Sequence, residues 1–271
     1  MSRAVVLKSA RDSLVLLLLV LAAIVTLETL YVLAMGRLAG DLLDIWRKIP
    51  FLKDVMRVLV GVNITGDVSA TTLITLGLVH PVLLATSWAF LLTVCTRDIT
   101  GDIDTGTADL VLTLPLPRRA VYIGTTVVWV VACAAFSTAA WCGIALGEQV
   151  FHTSEPLALR RLVIPVVNLC ALLLAIGGVS MLVAALSSRR VVAVAIMLGI
   201  LLASFLVNFL EVFVEQMRYV AFLGFLHYYR PVDAVRTGQW PLSQLAVLLI
   251  GGAIAWSIGL WRFNRRDIPA V

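Results

Sequence analysis

Two polar side chains inside long apolar runs are the residues best placed to do chemistry. Glu28 lies in the apolar run 13–35, and His80 stands directly before Pro81 in the run 70–94. A carboxyl group at membrane depth is costly, so such residues often mark a functional site. Each could instead serve packing through a hydrogen bond to a neighbouring helix. Both readings stay open, and both residues are candidates for a pathway or gate.

Further polar residues follow the apolar run 191–210. Four of them recur at the spacing of one helix face: Asn208, Glu211, Glu215 and Arg218. This spacing predicts that the fifth helix continues to residue 218 with a polar stripe, and Glu215 and Arg218 are placed for an ion pair. Asn208, Glu211 and Glu215 would line an outer gate, or they form the solvated face of a helix that emerges into water. The aromatic run 219–229 is too short to cross a membrane and predicts a re-entrant or surface helix.

The segment 95–120 carries the most informative polar sequence. It contains four aspartates: Asp98, Asp102, Asp104 and Asp109. Thr105 or Thr107 could cap a short helix that ends before Pro115. A short helix held at both ends by membrane spans can pass force between a cytoplasmic partner and the bundle.

No grouping of side chains predicts a metal site or another cofactor in this chain. The spacing of the aspartates does not match a calcium-binding loop. The cysteines lie in or beside apolar runs at spacings that form no zinc motif: Cys95, Cys133, Cys142 and Cys170. They are expected to be reduced and inert.

The composition places all these groups in a membrane protein. Of the 271 residues, 61% are hydrophobic and 14% are charged, whereas a soluble domain is roughly half apolar and about a quarter charged. Soluble, disordered and disulfide-stapled secreted proteins are therefore excluded. The net charge of +5 is typical of membrane topology and contact with anionic lipid, and nucleic acid is not an expected partner.

Six apolar runs are long enough to cross a bilayer as helices: 13–35, 70–94, 121–147, 162–187, 191–210 and 242–261. A span needs about 20 such residues, and hydrocarbon offers the backbone no partners outside a helix. The sequence predicts an all-α membrane protein with six transmembrane helices in a single domain over 1–271.

Basic residues set the predicted orientation. Three precede the first run and three follow the last: Arg3, Lys8, Arg11, Arg262, Arg265 and Arg266. Such residues favour the cytoplasmic side, so both termini are predicted to be cytoplasmic. Residues 1–36 also have features of a cleaved signal peptide, with Ala34-Met35-Gly36 as the cleavage site. A retained first span is favoured because apolar character resumes after Glu28.

An interfacial helix is predicted after the first span, over residues 37–60. Apolar residues recur there every three or four positions, with charged residues on the other side. Such a helix would lie on the bilayer with Trp46 at its boundary, and Pro50 would kink or split it. Packing over the mouth of the bundle is an equal alternative.

The segment 95–120 resembles the loop between the second and third spans of ABC-2 type transporter permeases. Those permeases carry an acidic residue, Gly-Thr, an apolar turn, then Pro and Arg. The matching run here is Asp104-Thr105-Gly106-Thr107, then 110–114, Pro115 and Arg118. The family usually has glutamate at the position of Asp104, and the outer loop 36–69 is long for it.

Three other places are similar to the family in the same span order: Ser188 to Ala193 as a tight turn, His227 to Pro231 with Gly238 as the outer segment, and Phe263 to Ile268 as the basic ending. The six-span plan is similar to that of the permease of the nitrous-oxide-reductase maturation transporter.

The resemblance implies a non-catalytic transport subunit in a bacterial cytoplasmic membrane. Two copies would pair, and each would contact an ATPase subunit, which binds the ATP and Mg²⁺. The interface residues it implies are Asp98, Asp102, Asp104, Gly106, Thr107, Leu110, Leu112, Pro115 and Arg118. The chain has no phosphate-binding Gly-Lys-Ser/Thr sequence, since none of its three lysines follows a glycine. Membrane lipid and an extracytoplasmic accessory protein are further expected partners.

Two other functions stay open, namely a membrane-embedded enzyme and a stand-alone secondary transporter, each using Glu28 and His80. No protease or hydrolase motif supports the enzyme. The two halves of the sequence show no internal repeat that would support the secondary transporter. A stable complex of this chain with an ATPase would favour the permease over the other two functions.

Overall fold

The computed structural model describes residues 3–48, 70–101, 118–151, 157–211 and 213–265. Every regular element within these ranges is helical. The helices are α1 (Arg3–Lys48), α2 (Ala70–Thr75), α3 (Pro81–Thr96), α4 (Arg118–Phe151), α5 (Leu159–Leu186), α6 (Arg190–Leu210), α7 (Arg218–Ala221), α8 (Pro231–Thr237) and α9 (Leu242–Arg265).

Six helical stretches are long and apolar enough to cross a membrane, which confirms the six predicted spans. They are α1, the broken pair α2–α3, α4, α5, α6 and α9. The chain is therefore a multi-pass helical membrane protein. The share of each apolar stretch buried in the bundle is 72% for α5 but 22% for α1 and α6 and 17% for α9, so α5 is the central helix and those three are peripheral.

The second span is broken directly before Pro81. After α2 the chain makes a 3₁₀ turn over Leu76–Val79, His80 is extended with φ −59° and ψ 130°, and Pro81 begins α3. Proline lacks an N–H and disfavours a helical conformation in the residue before it. The imidazole Nδ1 of His80 accepts the N–H of Val82 at 3.3 Å and so caps α3.

The first helix is longer than its apolar run. It continues without a break from Arg3 to Lys48, so residues 37–48 extend α1 and do not begin a separate interfacial helix as the sequence predicted. No proline separates the two parts, because Pro50 comes only after Lys48. The remainder of that prediction, 49–60, lies outside the described residues.

The predicted continuation of the fifth span to residue 218 is wrong. Helix α6 ends at Leu210, and the chain then makes a 3₁₀ turn over Glu215–Met217 before α7. Tertiary contacts of Glu211, given below, outweigh the helical periodicity of this segment. A 3₁₀ turn over Phe225–Tyr228 and the short helix α8 complete the region, and Gly238 ends α8 at a φ of +65°.

Glycines set the close helix contacts, as expected where small residues let backbones approach. The sequence Gly-x-x-x-Gly formed by Gly143 and Gly147 of α4 packs on α1: a Cβ at Gly143 would lie 2.8 Å from the carbonyl oxygen of Val25, and one at Gly147 would lie 2.7 Å from Cβ of Val32. The contact of α5 with α9 is tighter, because a Cβ at Gly178 would lie 2.3 Å from the carbonyl oxygen of Gly252.

Candidate functional site

A network of polar side chains joins three helices where the segment 95–120 begins. Arg97 starts the π-helical turn Arg97–Gly101 that extends α3. Its guanidinium group donates to the carbonyl oxygens of Asp12 at 3.0 Å and Ser9 at 3.3 Å, and to the hydroxyl of Ser13 at 3.0 Å. These bonds fix the end of α3 against the first turns of α1.

Asp98 completes this network. Its carboxylate pairs with Nε of Arg97 at 3.0 Å and accepts hydrogen bonds from the hydroxyls of Ser9 and of Thr125 on α4, the latter at 3.0 Å. The two charged side chains are only 24% and 16% exposed, and charge-assisted bonds of this kind are stronger than neutral ones. We call this group the Asp98 clasp: Ser9, Ser13, Arg97, Asp98 and Thr125.

The clasp changes the role expected for one predicted interface residue. The carboxylate of Asp98 is engaged within the chain, at the membrane end of the segment 95–120. Arg118, at the other end, is the first residue of α4. Seven further predicted interface residues lie outside the described part of the chain: Asp102, Asp104, Gly106, Thr107, Leu110, Leu112 and Pro115.

Four clasp residues were missed by reasoning from sequence. Ser9 and Ser13 stand four residues apart at the start of an apolar helix, and this spacing places them on one helix face. This spacing was the feature of the sequence that could have indicated a polar contact at the start of α1. Arg97 and Thr125 carried no such feature, because the contacts that tie them to another helix lie 84 to 88 residues away for Arg97 and 27 residues away for Thr125.

Glu28 lies in a closed site between α1, α4 and the broken second span. The residue has no exposed surface, and neither carboxyl oxygen has a hydrogen-bond partner among the described residues. Gly77 faces it so closely that a Cβ there would lie 2.5 Å from Oε2 of Glu28 and 3.0 Å from the ring of Tyr31. Cβ of Glu28 lies over Gly143 of α4, where an added Cβ would be 2.8 Å away.

His80 lies near this site but does not contact Glu28 in the described structure. Its ring meets Tyr31 edge-on, with the ring centroids 6.2 Å apart. The hydroxyl of Tyr229 donates to the carbonyl oxygen of Leu78 at 2.9 Å, beside the helix break. Burial raises the pKa of Tyr229 well above its ordinary value.

A second charged group lies where α6 ends. Glu211 contacts Nδ1 of His227 through Oε2 at 3.3 Å and Nη2 of Arg230 through Oε1 at 3.7 Å. Nε of Arg230 also donates to the carbonyl oxygen of His227 at 3.2 Å. We call Glu211, His227 and Arg230 the Glu211 clasp. Because successive spans run in opposite directions, it lies at the other end of the bundle from the Asp98 clasp.

The other predicted gate residues do not join the Glu211 clasp. Glu215 is exposed on its 3₁₀ turn, and Asn208 is half-buried on α6. The predicted ion pair of Glu215 with Arg218 does not form among the described residues. Nearby on α8, burial raises the pKa of Asp233, while the guanidinium groups of Arg230 and Arg236 act in the opposite direction.

An apolar groove of about 410 Å³ runs between α3 and α6. Trp88 and Leu92 line one side, and Leu198 and Leu202 line the other. Helix α6 has only four buried residues of its 21, so most of its surface is left for contacts in the membrane.

Within the described ranges no group of three or more His, Cys, Asp or Glu residues could hold a metal ion.

Comparison with known proteins adds no relative. No family model, no curated protein and no solved structure matches the chain.

Proposed function

We propose that this chain is the membrane-spanning permease subunit of an ABC transporter. In this proposal it couples ATP hydrolysis by a separate ATPase subunit to export, or to mechanical transmission, across a bacterial cytoplasmic membrane. The motif resemblance of the segment 95–120 suggests the family. The observation that carries the proposal is the Asp98 clasp, which ties the start of that segment to two other helices.

The clasp supports a mechanical role because both ends of the segment are attached to rigid elements. On one side the π-helical turn Arg97–Gly101 continues α3, and on the other Arg118 begins the 34-residue helix α4. A push on the residues between them would reach α1 through Arg97 and reach α4 through Thr125. In this scheme Asp98 is a positioning residue, and Asp102 and Asp104 remain candidates for contact with the ATPase.

Helix α1 would carry such a movement across the membrane. It packs along α4 through Gly143 and Gly147, and the hydroxyl of Thr29 donates to the carbonyl oxygen of Gly143 at 3.0 Å. The clasp residue Ser9 and the buried Glu28 lie on this same helix, about 28 Å apart along its axis. A displacement of α1 at the Asp98 clasp would therefore also move Glu28.

The proposal includes a second copy of the chain in the membrane, with lipid around the pair. The groove between α3 and α6 gives a helix of the second copy a concave apolar surface to fill. The proposal also puts both termini of the chain in the cytoplasm. Reporter fusions at the two ends would test this orientation. An accessory protein would bind at the opposite side, where the Glu211 clasp lies.

The deciding experiment is a tagged pull-down from mild detergent, with mass spectrometry of the co-purifying chains and an ATPase assay. We expect an ATPase chain in equal amount. Asp104→Arg, and Leu110→Asp with Leu112→Asp, should reduce its recovery several-fold without affecting membrane insertion. Glu215→Arg is the matched control, since it reverses an exposed carboxylate at the other end of the bundle. Purification without any ATPase would contradict the proposal.

A further inference from the structure

Glu28 is the polar group whose surroundings the permease proposal leaves unexplained. It is fully buried, and both carboxyl oxygens lack a hydrogen-bond partner among the described residues. Buried polar groups in folded proteins are nearly always hydrogen-bonded, so an exception of this kind calls for a cause. A buried polar group without a partner costs free energy, and its presence therefore points to a use.

The site is formed around a break in a membrane helix. Gly77 lies in the 3₁₀ turn between α2 and α3, and any side chain there would collide with Oε2 of Glu28 and with Tyr31. The backbone of the broken span thus closes directly over the carboxyl group. Non-helical backbone at membrane depth is tolerated only where protein or a water-filled cavity surrounds it, and such breaks often form the ion sites of transporters.

Within the described ranges, no lysine or arginine contacts Glu28. The titratable neighbours in the described contacts are Tyr31 on α1 and Tyr229 after the 3₁₀ turn Phe225–Tyr228, with His80 beyond Tyr31. From α4 the closest contact is Gly143, which has no side chain. A buried carboxylate without a cation or a donor is far more costly than a neutral carboxyl group. Glu28 therefore carries a proton in this arrangement.

We propose that Glu28 is a proton-binding site, which releases its proton when α1 and the broken second span move apart and rebinds it when they close. The site needs no covalent step, because the proton leaves to water and returns from it. This inference goes beyond the permease function and stands whether or not an ATPase binds the chain.

A proton fits the site better than a metal cation does. Cations such as Ca²⁺ and Mg²⁺ need a shell of several oxygen ligands. Two carbonyl oxygens of the helix break already accept one hydrogen bond each: Gly77 from the N–H of His80 at 2.9 Å, and Leu78 from the hydroxyl of Tyr229 at 2.9 Å. The carboxyl group alone cannot complete a shell, so sodium is the rival that the test must separate.

The test is labelling with dicyclohexylcarbodiimide, which enters membranes and adds to protonated carboxyl groups. The full-length protein in lipid nanodiscs would be labelled at a series of pH values, with and without sodium, and the site read by peptide mass spectrometry. We expect one adduct, at Glu28. Its rate should fall by about tenfold per pH unit once the buffer is alkaline enough to ionise the group, and sodium should not change it.

Glu148 provides the internal control in the same sample. It is a half-buried glutamate on α4 whose carboxylate accepts the N–H of Leu157 at 2.7 Å, so it should stay unlabelled. Protection of Glu28 by sodium would overturn the proton assignment in favour of a sodium site. Absence of label at Glu28 at every pH would overturn the proposal altogether, because the carboxyl group would then never open to exchange.

A second measurement keeps the proposal testable if labelling is ambiguous. Glu28→Gln replaces the protonated carboxyl group with a neutral group of the same shape, so its Tm at mildly acidic pH should match that of the unmodified chain. At alkaline pH the unmodified chain should lose stability and the variant should not. Equal pH dependence of the two proteins, or a variant that does not fold at any pH, would contradict a proton on Glu28. Since neither measurement uses a partner protein, failure here is distinct from failure of the permease proposal.

Discussion

The two ends of the helix bundle each carry a partly buried carboxylate beside an arginine, and they use it differently. At the Asp98 clasp the carboxylate meets a guanidinium and two hydroxyls, and that guanidinium binds two backbone carbonyls in addition. At the Glu211 clasp the carboxylate has two partners, at 3.3 and 3.7 Å. The first arrangement joins three long helices, while the second holds the end of α6 to short turns.

The difference lies in how many groups lose their partner when the contact opens. Opening the Asp98 clasp would leave two hydroxyls, an arginine and a carboxylate without their bonds at once. Opening the Glu211 clasp would release one carboxylate and its two partners, His227 and Arg230, and Nε of Arg230 would keep its hydrogen bond to the carbonyl oxygen of His227. Elements that open locally have few buried contacts, so we expect the Glu211 end to move first and the Asp98 end to stay rigid.

The largest expected effect is that of Asp98→Ala. It leaves Arg97 without its counterion and two hydroxyls without an acceptor, so the free energy of unfolding should fall by about 2–3 kcal/mol. Thermal unfolding in detergent, followed by tryptophan fluorescence, measures it. Asp98→Asn is the matched control, because the amide oxygen still accepts from Ser9 and Thr125, and its loss should be smaller. Equal losses would show that the hydrogen bonds contribute little.

Thr125→Val tests one bond of the same clasp. The valine fills the same buried volume and removes only the hydroxyl that donates to Asp98. We expect a loss of about 1 kcal/mol, and where the ATPase complex is available, weaker coupling at unchanged ATPase binding. Thr126→Val is the neighbouring control, since the hydroxyl of Thr126 bonds within the same region but to Tyr122 and Trp256. An unchanged Tm in Thr125→Val would show that the hydrogen bond from α4 does not contribute to the stability of the Asp98 clasp.

Glu211→Ala is expected to cost about 0.5 kcal/mol of global stability, because its contacts are long, at 3.3 and 3.7 Å, and its partners His227 and Arg230 are 28% and 37% exposed. Its larger effect should be local, with faster amide hydrogen exchange at the end of α6 and in the turn around His227. Asp98→Ala should not produce this local pattern. If Glu211→Ala lowered the Tm as much as Asp98→Ala, the distinction between a rigid end and an opening end would be wrong.

The smallest expected effect is a pH dependence at the Glu211 end. Burial raises the pKa of Asp233 above its ordinary value of 3.8, so the folded state favours the protonated form. Stability from this group is full below the ordinary value and is lost as the pH rises through the raised one. Asp233→Asn should flatten that part of the curve of Tm against pH. A steeper curve in the variant would contradict the assigned sign.

The spans could be predicted because length and hydropathy are local properties of the chain. The break at Pro81 and the packing role of Gly143 and Gly147 were also visible in the sequence, since each rests on the chemistry of single residues. The continuity of α1 was not, because the fall in hydropathy after Met35 marks the end of an apolar run and not the end of a helix.

The candidate site could be predicted only in part. Glu28 stood out as a carboxyl group in an apolar run, and its lack of hydrogen-bond partners became visible only once Gly77 was placed against it. The partners of Asp98 are Ser9 and Thr125, which lie 89 and 27 residues away. Periodicity along one helix cannot show such contacts, and for the same reason it wrongly extended α6 past Glu211.

The backbone contact between Gly178 and Gly252 has a consequence for biogenesis. Helix α9 leaves the ribosome after the other described spans, and it meets α5 where a Cβ on Gly252 would lie 2.8 Å from Cα of Ala175. Lipid is as apolar as the helix surfaces, so shape must drive this docking. Only one rotation of α9 presents its glycines to α5. Once inserted, α9 must turn Gly252 and Gly259 toward α5 before the two backbones can meet, so we expect its docking to fail when either glycine carries a larger side chain.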